Sequence, residues 1–532
     1  MKTQLFLVTF LLYHFTVIAQ EDAWVYFTDK PNATAQLSNP NSILSSAAIA
    51  RKMTHSIAID ERDVPVHEPY ITQIKASEGV TYKAKSKWFN AVHVRGTETD
   101  INSLLTLDFV DYITFANSNL NFRTLPFQDK FVMESNRTDF TYGTSQNQIE
   151  MLHLEELHLA NYTGEGVLVA VIDAGFTNVN TMAGFERLRT AGNLMGGYDF
   201  VNKTADIYNS TASQHGTQVL STMAGFVQDE YVGAAPDARY YLFLTEDVTS
   251  ENPVEESYWV EAVERADSLG VQLINTSLGY KNFDNSNYNY TDFQLNGTTT
   301  YSSKGANIAF EKGLILVNSA GNSGASGIST PADAAGVLTV AAVDADENYA
   351  SFSSQGSAFQ LTQKPDVAAR GSGSFVITSE DQISQSNGTS FSSPILAGGV
   401  ACLVQAFPEA TNVEIINYVR ESASQFMNPD FFIGYGIPDF QTALTLGIKD
   451  QLSKQLDFEI FPNPAQSTIV VKYPYSMTNA LVSIHTILGQ LVFESELESM
   501  KPLNIEALSK GLYLLTIHTE NQKSSVFKII KE

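Results

Sequence analysis

Four residues of this chain have types and surroundings that could break an acyl bond: Asp173, His215, Asn322 and Ser390. A serine attacks only when a base takes its proton, an imidazole works best when a carboxylate fixes its tautomer, and the resulting oxyanion needs preorganised donors. Ser390 lies in Asn387-Gly388-Thr389-Ser390-Phe391-Ser392-Ser393-Pro394, which runs into the apolar stretch 395–407. A serine at the mouth of an apolar helix suits a nucleophile, because unpaired N–H groups and positive potential gather there. Pro394 is read as part of the first turn, where proline is tolerated. The segment alone fits a capped buried helix equally well, since Ser and Thr are ordinary N-caps.

The partners show the same ambiguity singly. Asp173 ends the apolar run 167–172 and precedes Ala174-Gly175, which is also a common turn pattern. Asn322 stands between glycines in Asn318-Ser319-Ala320-Gly321-Asn322-Ser323-Gly324, an ordinary turn or a fixed amide donor. The nine histidines narrow the choice. His14 falls in the N-terminal apolar segment, His55, His67 and His93 in the first unit, and His485 and His518 in the tail. His153 and His158 precede the first strand of the central region, so only His215 lies between the end of that strand at Ile172 and the end of the region, opening His215-Gly216-Thr217.

These residues need a scaffold. From about residue 149, apolar strands (167–172, 240–244, 271–275, 314–318, 337–343) alternate with helical stretches. Two of the latter, 254–269 and 303–312, are each closed by a glycine, Gly270 and Gly313. Strands apolar on both faces that alternate with helices imply a doubly wound parallel sheet between helix layers, an α/β fold with its site beyond the carboxyl ends of the strands. Residues 20–123 read as a small α+β unit, 124–148 as a linker, 149–447 as the α/β domain and 448–456 as a second linker. The tail, 457–532, reads as an all-β sandwich of short strands.

The 532 residues allow two to four domains. A formal net charge of −26 argues against nucleic acid and anionic membranes, which need clustered cations. Residues 1–19 read as a secretory signal, too short in its apolar run to anchor. No later window is read as approaching a membrane span. Cys402 is the single cysteine, so neither an intramolecular disulfide nor a cysteine metal cluster can form.

Chain order separates the enzyme classes. An α/β-hydrolase esterase requires G-x-S-x-G and a histidine after the serine, whereas here Ser392 holds the second glycine position and later histidines lie in the tail. The order Asp173, His215, Ser390 is the subtilisin order. With Val171-Ile172-Asp173-Ala174-Gly175, His215-Gly216-Thr217, Asn275-Thr276-Ser277-Leu278-Gly279, Ala320-Gly321-Asn322 and Gly388-Thr389-Ser390, residues 149–447 resemble the subtilisin-like serine proteases, or subtilases. Ala174 and Phe391-Ser392 depart from the usual pattern.

The resemblance implies a secreted endopeptidase with Asp173, His215 and Ser390 as its triad, and Asn322 with the Ser390 N–H as its oxyanion hole. It implies that Ser277, Leu278 and Gly279 pair with a protein or peptide substrate. Ser329-Thr330-Pro331-Ala332, small and uncharged, would border the main side-chain pocket. No cofactor is implied for the chemistry. Structural calcium is a family trait for which no loop stands out, so metal ligands are left unassigned. Residues 20–123 resemble the inhibitory propeptides of bacterial subtilases, implying a zymogen cut within 124–148. Residues 457–532, with Phe461-Pro462-Asn463-Pro464, Gly511-Leu512-Tyr513 and a basic end, resemble the sorting domain of the Bacteroidetes type IX secretion system. The partners so implied are substrate, the chain's own propeptide and the secretion machinery, with release from or retention at the cell surface.

Overall fold

Val337–Val343 and Leu168–Asp173 are buried along their whole length, which only a sheet covered on both faces allows. The computed structural model describes residues 20–117, 140–209, 213–454, 459–472, 480–486, 490–497, 501–519 and 524–532. The segment 1–19, read as a signal, and residues 118–139 of the processing region lie outside them. The chain forms two units, residues 1–447 and 448–532.

In the first unit seven parallel strands stand side by side. From one edge the order is Val367–Arg370, Val337–Val343, Ile315–Ser319, Leu273–Thr276, Leu168–Asp173, Arg239–Leu244 and Leu194–Asp199. The chain starts in the fifth of these, passes directly to the edge strand Leu194–Asp199, steps back through Arg239–Leu244, and then crosses Leu168–Asp173 to wind to the other edge. Its direction reverses between Leu168–Asp173 and Leu273–Thr276, which makes their carboxyl ends the switch point where a crevice opens. His215–Ala224 and Thr389–Ala406 pack together, and Val254–Leu269 packs with Tyr301–Glu311. The edge strand Leu194–Asp199 escapes sequence reading because it is half-buried and contains Gly196-Gly197, residues poor in strand preference.

Thr389–Ala406 is, among the described residues, the helix long and apolar enough to span a membrane, a length the sequence reading did not register. It is almost wholly buried and serves as the core helix of this unit. Its start also corrects the reading of Pro394: the helix begins at Thr389, so the proline sits in the second turn.

Residues 20–117 form a four-stranded antiparallel sheet in the order Val80–Ser86, Ala91–Gly96, Glu21–Phe27 and Val110–Phe115. This layer docks on Val254–Leu269 and Tyr301–Glu311. Trp24 stacks on Tyr301 at 4.4 Å between centroids, and Glu264 accepts hydrogen bonds from Ser86 Oγ and the Lys87 and Trp88 amides. Asp267 is fully buried against Arg51, Lys52 and Lys87, and Lys312 bridges Asp60 and Asp63 at 2.9 and 2.8 Å. Ordered packing of the α/β domain begins before residue 149: Tyr142 is buried, Gly143 pairs with Tyr231, and Gln146–Glu150 is helical. The stretch 448–456, read as a linker, is helical as far as Lys454.

In the second unit, two antiparallel sheets share one core that includes Ile469, Val471, Val482, Ile484, Leu515 and Ile517. Glu459–Phe461, Thr468–Lys472 and Pro502–Asn504 form one sheet. Ala480–Thr486, Leu491–Leu497, Gly511–Thr519 and Ser524–Lys531 form the other.

Candidate active site

Register places the ends of adjacent strands together. Asp173 is level with Leu244, Ile172 with Thr276, and Thr276 with Asn318, so the loops holding Glu246, Asp173, Ser277 and Asn322 emerge in a row. Asp173 is fully buried, and its Oδ1 accepts from the Ala174 amide and from His215 Nδ1, each at 2.7 Å. His215 opens its helix, and Gly216 lets that helix touch the strand end, since a Cβ there would lie 2.9 Å from the Asp173 Cβ. The imidazole keeps 31 % of its side-chain surface open to the cleft. Burial opposes its protonation, but the charge and hydrogen bond of Asp173, with a further contribution from Glu246, outweigh that and raise its pKa above 6.5. An Nδ1–H donated to a carboxylate leaves Nε2 as the basic nitrogen.

Ser390 is the second residue of its helix, after Gly388 at φ +149°, a conformation that favours glycine. Its amide is among the first-turn N–H groups that have no intrahelical acceptor. Its hydroxyl donates to the Ser277 carbonyl at 3.4 Å, and no hydrogen bond joins it to the His215 ring among the described residues. Catalytic hydrogen bonds are commonly loose without substrate and tighten on binding. Pro394 cannot donate to the Ser390 carbonyl four residues earlier. That carbonyl instead accepts from Ser277 Oγ at 2.9 Å. Ser277 in turn accepts from Asn275 Nδ2 at 3.2 Å, and Asn275 Oδ1 accepts from Ser393 Oγ at 2.8 Å. A buried polar relay thus ties the serine's turn to the Ser277 strand end.

Asn322 Oδ1 accepts from the Thr389 amide at 2.9 Å and from Thr389 Oγ1 at 3.0 Å. With the oxygen so pinned, Nδ2 faces outward as a donor, and the network itself assigns which amide atom is which. Thr389 Oγ1 also accepts from the Gly321 amide at 3.1 Å, locking the Asn322 loop to the helix start.

The cleft floor follows the Ser277-Leu278-Gly279 edge. Asn318 Nδ2 donates to the Leu278 carbonyl at 3.0 Å, and Tyr280 and Thr330 exchange backbone hydrogen bonds of 2.8 and 3.1 Å. Gly279 abuts Ser329, whose Oγ would lie 2.1 Å from a Cβ at that position. Phe391, where the sequence departs from the usual pattern, packs beside His215 at 6.0 Å. All seven residues singled out from the sequence therefore gather at one switch point. Missed were Thr389, Asn275 and Ser393, whose only sequence signal is a density of Ser, Thr and Asn that turns and caps also show. Among the described residues no group of three or more His, Cys, Asp or Glu is arranged to hold a metal ion, so no metal ligand is assigned.

Comparison with known proteins follows the same lines. Residues 164–436 match the family model described as the subtilase family. Residues 22–132 match the peptidase S8 propeptide domain of Bacteroidota, and 459–532 match a secretion system C-terminal sorting domain. The chain is similar to subtilisin DY of Bacillus licheniformis, 28% identical over 300 residues that cover 56% of this chain and 97% of the relative. It is also similar to the M-protease of Shouchella clausii, 25% identical over 412 residues, covering 76% of this chain and 94% of that one. Among solved structures, MycP1 of Mycobacterium smegmatis is 25% identical with a TM-score of 0.45, covering 60% of this chain and 89% of its own.

Proposed function

The chain belongs to the subtilase family, a serine endopeptidase carrying a propeptide and a C-terminal sorting domain, and from this premise we propose that Asp173, His215, Ser390 and Asn322 are its hydrolytic machinery. In this reading Ser390 Oγ turns from the Ser277 carbonyl to His215 Nε2, gives up its proton there and attacks the scissile carbonyl. The oxyanion is met by Asn322 Nδ2 and the Ser390 N–H. His215 then protonates the leaving amine, and an acyl-enzyme forms on Ser390. Water, deprotonated by the same nitrogen, releases the acid and restores the serine. Asp173 stays ionised throughout, holding the ring and stabilising the imidazolium. Ser277-Leu278-Gly279 would hold the substrate backbone as an added strand. None of these steps requires a cofactor.

The observation that carries the proposal is the oriented pair at the switch point: Nδ1 of His215 held at 2.7 Å by a buried carboxylate, and the Asn322 oxygen held by Thr389 at the start of the serine's helix, which leaves its Nδ2 as the donor. An active-site fluorophosphonate should label the purified protein. Labelling that survives both Ser390→Ala and His215→Ala would refute these roles.

The sorting domain supports export, and the propeptide supports synthesis as a zymogen. We assign residues 1–19 to the signal, 20–123 to the inhibitor, 149–447 to the peptidase and 457–532 to recognition by the type IX machinery, with self-cleavage between 124 and 148. Ser390→Ala should leave that segment uncut in a preparation free of other proteases. Trimming of the mutant would show that maturation is not autocatalytic.

A further inference from the structure

The propeptide unit reaches the peptidase through two parts, and only one of them is its sheet. Between the strands Glu21–Phe27 and Val80–Ser86 the chain makes a long excursion that includes the helix Ser46–Thr54 and the short helix Glu61–Asp63. Residues 45–63 of this excursion lie against the carboxyl ends of the helices Val254–Leu269 and Tyr301–Glu311. The opposite end of Val254–Leu269 borders the cleft, where Glu255 is among the lining residues. At 1.5 Å per residue, Asp267 stands about 18 Å further along the axis, a place the substrate does not reach.

Helix carboxyl ends expose carbonyls without intrahelical partners and gather negative potential. The excursion answers both. The Ser45 amide donates to the Ser268 carbonyl at 3.0 Å. Arg51 donates through Nη1 to the Lys312 carbonyl and through Nη2 to the Asp267 carboxylate, so one guanidinium joins the two helix ends. Charge is exchanged in both directions across the junction. Lys52 Nζ meets Asp267 at 3.0 Å, Lys312 Nζ meets Asp63 at 2.8 Å, and Arg62 reaches Glu311 at 2.5 Å. Arg51, Lys52, Asp63, Asp267 and Lys312 are all buried.

Shape matches as well. Gly270 and Gly313, which close the two helices at φ +85° and +80°, leave room for the incoming chain. A Cβ on Gly270 would lie 2.6 Å from the Ala47 Cβ, and one on Gly313 would overlap Ile57 Cδ1. The glycines that end the helices are therefore also seats for the excursion. We propose that residues 45–63 are a clamp that sets how long the propeptide stays on the peptidase once the linker is cut. Buried pairs of both polarities fix a single placement, because any other leaves a buried charge without a partner. This rests on residues 20–123 being the inhibitor of the Ser390 site.

The test uses the full chain with Ser390→Ala and the recognition sequence of an unrelated protease placed within 124–139. After that protease cuts, the sample is diluted and the half-life of the complex is followed by size exclusion. The fluorescence of Trp24, which stacks on Tyr301, gives a second readout. The side-chain hydrogen bonds of Arg51 all go to the peptidase among the described residues. Arg51→Met should therefore shorten the half-life about tenfold or more. In an Asp267→Asn chain the same change should matter about threefold or less, since the guanidinium has already lost that carboxylate. Arg62→Ala, on a partly exposed pair, should shorten it about two- to fivefold and decides the matter where the buried variants do not fold. An unchanged half-life in every variant that folds overturns the proposal. So does an Arg51→Met effect that persists undiminished with Asp267→Asn. With Ser390 intact, departure of the cut piece without any rise in peptide hydrolysis would instead sink the reading of 20–123 as inhibitor, which keeps the two failures distinct.

Discussion

Ser277→Ala should loosen the turn that carries Ser390, and the size of the effect should depend on a residue it does not touch, Pro394. The carbonyl of Ser390 sits in a helix where Pro394 offers no N–H, and the Ser277 hydroxyl fills the vacancy at 2.9 Å. Ser390 is 7% exposed, so water is a poor substitute partner. Leaving a buried carbonyl unpaired costs about 1–3 kcal/mol. Expressed as an unfolding rate, that is about 5- to 150-fold faster if the contact is lost in the transition state. Pro394→Ala restores an amide able to donate four residues back, so in that background Ser277→Ala should accelerate unfolding by about threefold or less. The cycle is best run in a Ser390→Ala chain, which keeps the backbone carbonyl and removes autolysis, with urea-jump fluorescence as the readout. Rates rather than equilibrium stabilities are compared because proteases often unfold irreversibly. Equal acceleration with and without Pro394 would refute the claim that Ser277 serves the orphaned carbonyl.

Other perturbations follow from the same geometry. Asn322→Ala should lower kcat by about 10²- to 10³-fold, a magnitude taken from subtilisin itself. Thr389→Ala, which removes one of the two bonds on Asn322 Oδ1, should cost about 2- to 10-fold, with Thr389→Ser restoring most of it. The acid limb of kcat/KM should have its midpoint above 6.5, because His215 must be neutral to act as base and its raised pKa keeps it protonated longer as pH climbs. Asp173→Asn should move that midpoint down and lower kcat by about 10⁴-fold, and a wild-type midpoint at or below 6.5 would contradict the Asp173 contribution. Asp267→Asn should weaken inhibition by propeptide added in trans at least about a hundredfold, since it strips the buried Arg51 of its carboxylate and leaves Lys52 with Asp63 alone. An unchanged inhibition constant would show that these pairs add nothing to docking.

How much of this was legible depended on whether the signal was local. The strand Val337–Val343 and the helix Val254–Leu269 have the bounds read from the sequence, because unbroken apolar runs and a closing glycine, Gly270 at φ +85°, are properties of consecutive residues. The edge strand Leu194–Asp199 lacks such a run, and the linker at 448–456 proved largely helical because polar residues alone do not distinguish an exposed helix from a loop. Pro394 was placed a turn too early, since nothing in the apolar stretch after it shows that the helix already begins at Thr389.

By itself the sequence determined the chemistry available: one histidine between the first strand of the α/β region and its end, a strand-end aspartate, a helix-mouth serine and the order Asp173, His215, Ser390, which together excluded an esterase. Only the tertiary structure decided how those groups act. The 2.7 Å bond from His215 to Asp173, the turning of Asn322 by Thr389 and the rescue of the Ser390 carbonyl by Ser277 join residues from 42 to 113 positions apart. Spacing along a chain encodes helices and strands because their hydrogen bonds are local. Contacts between strand ends follow from sheet order and register, which the whole folded core decides.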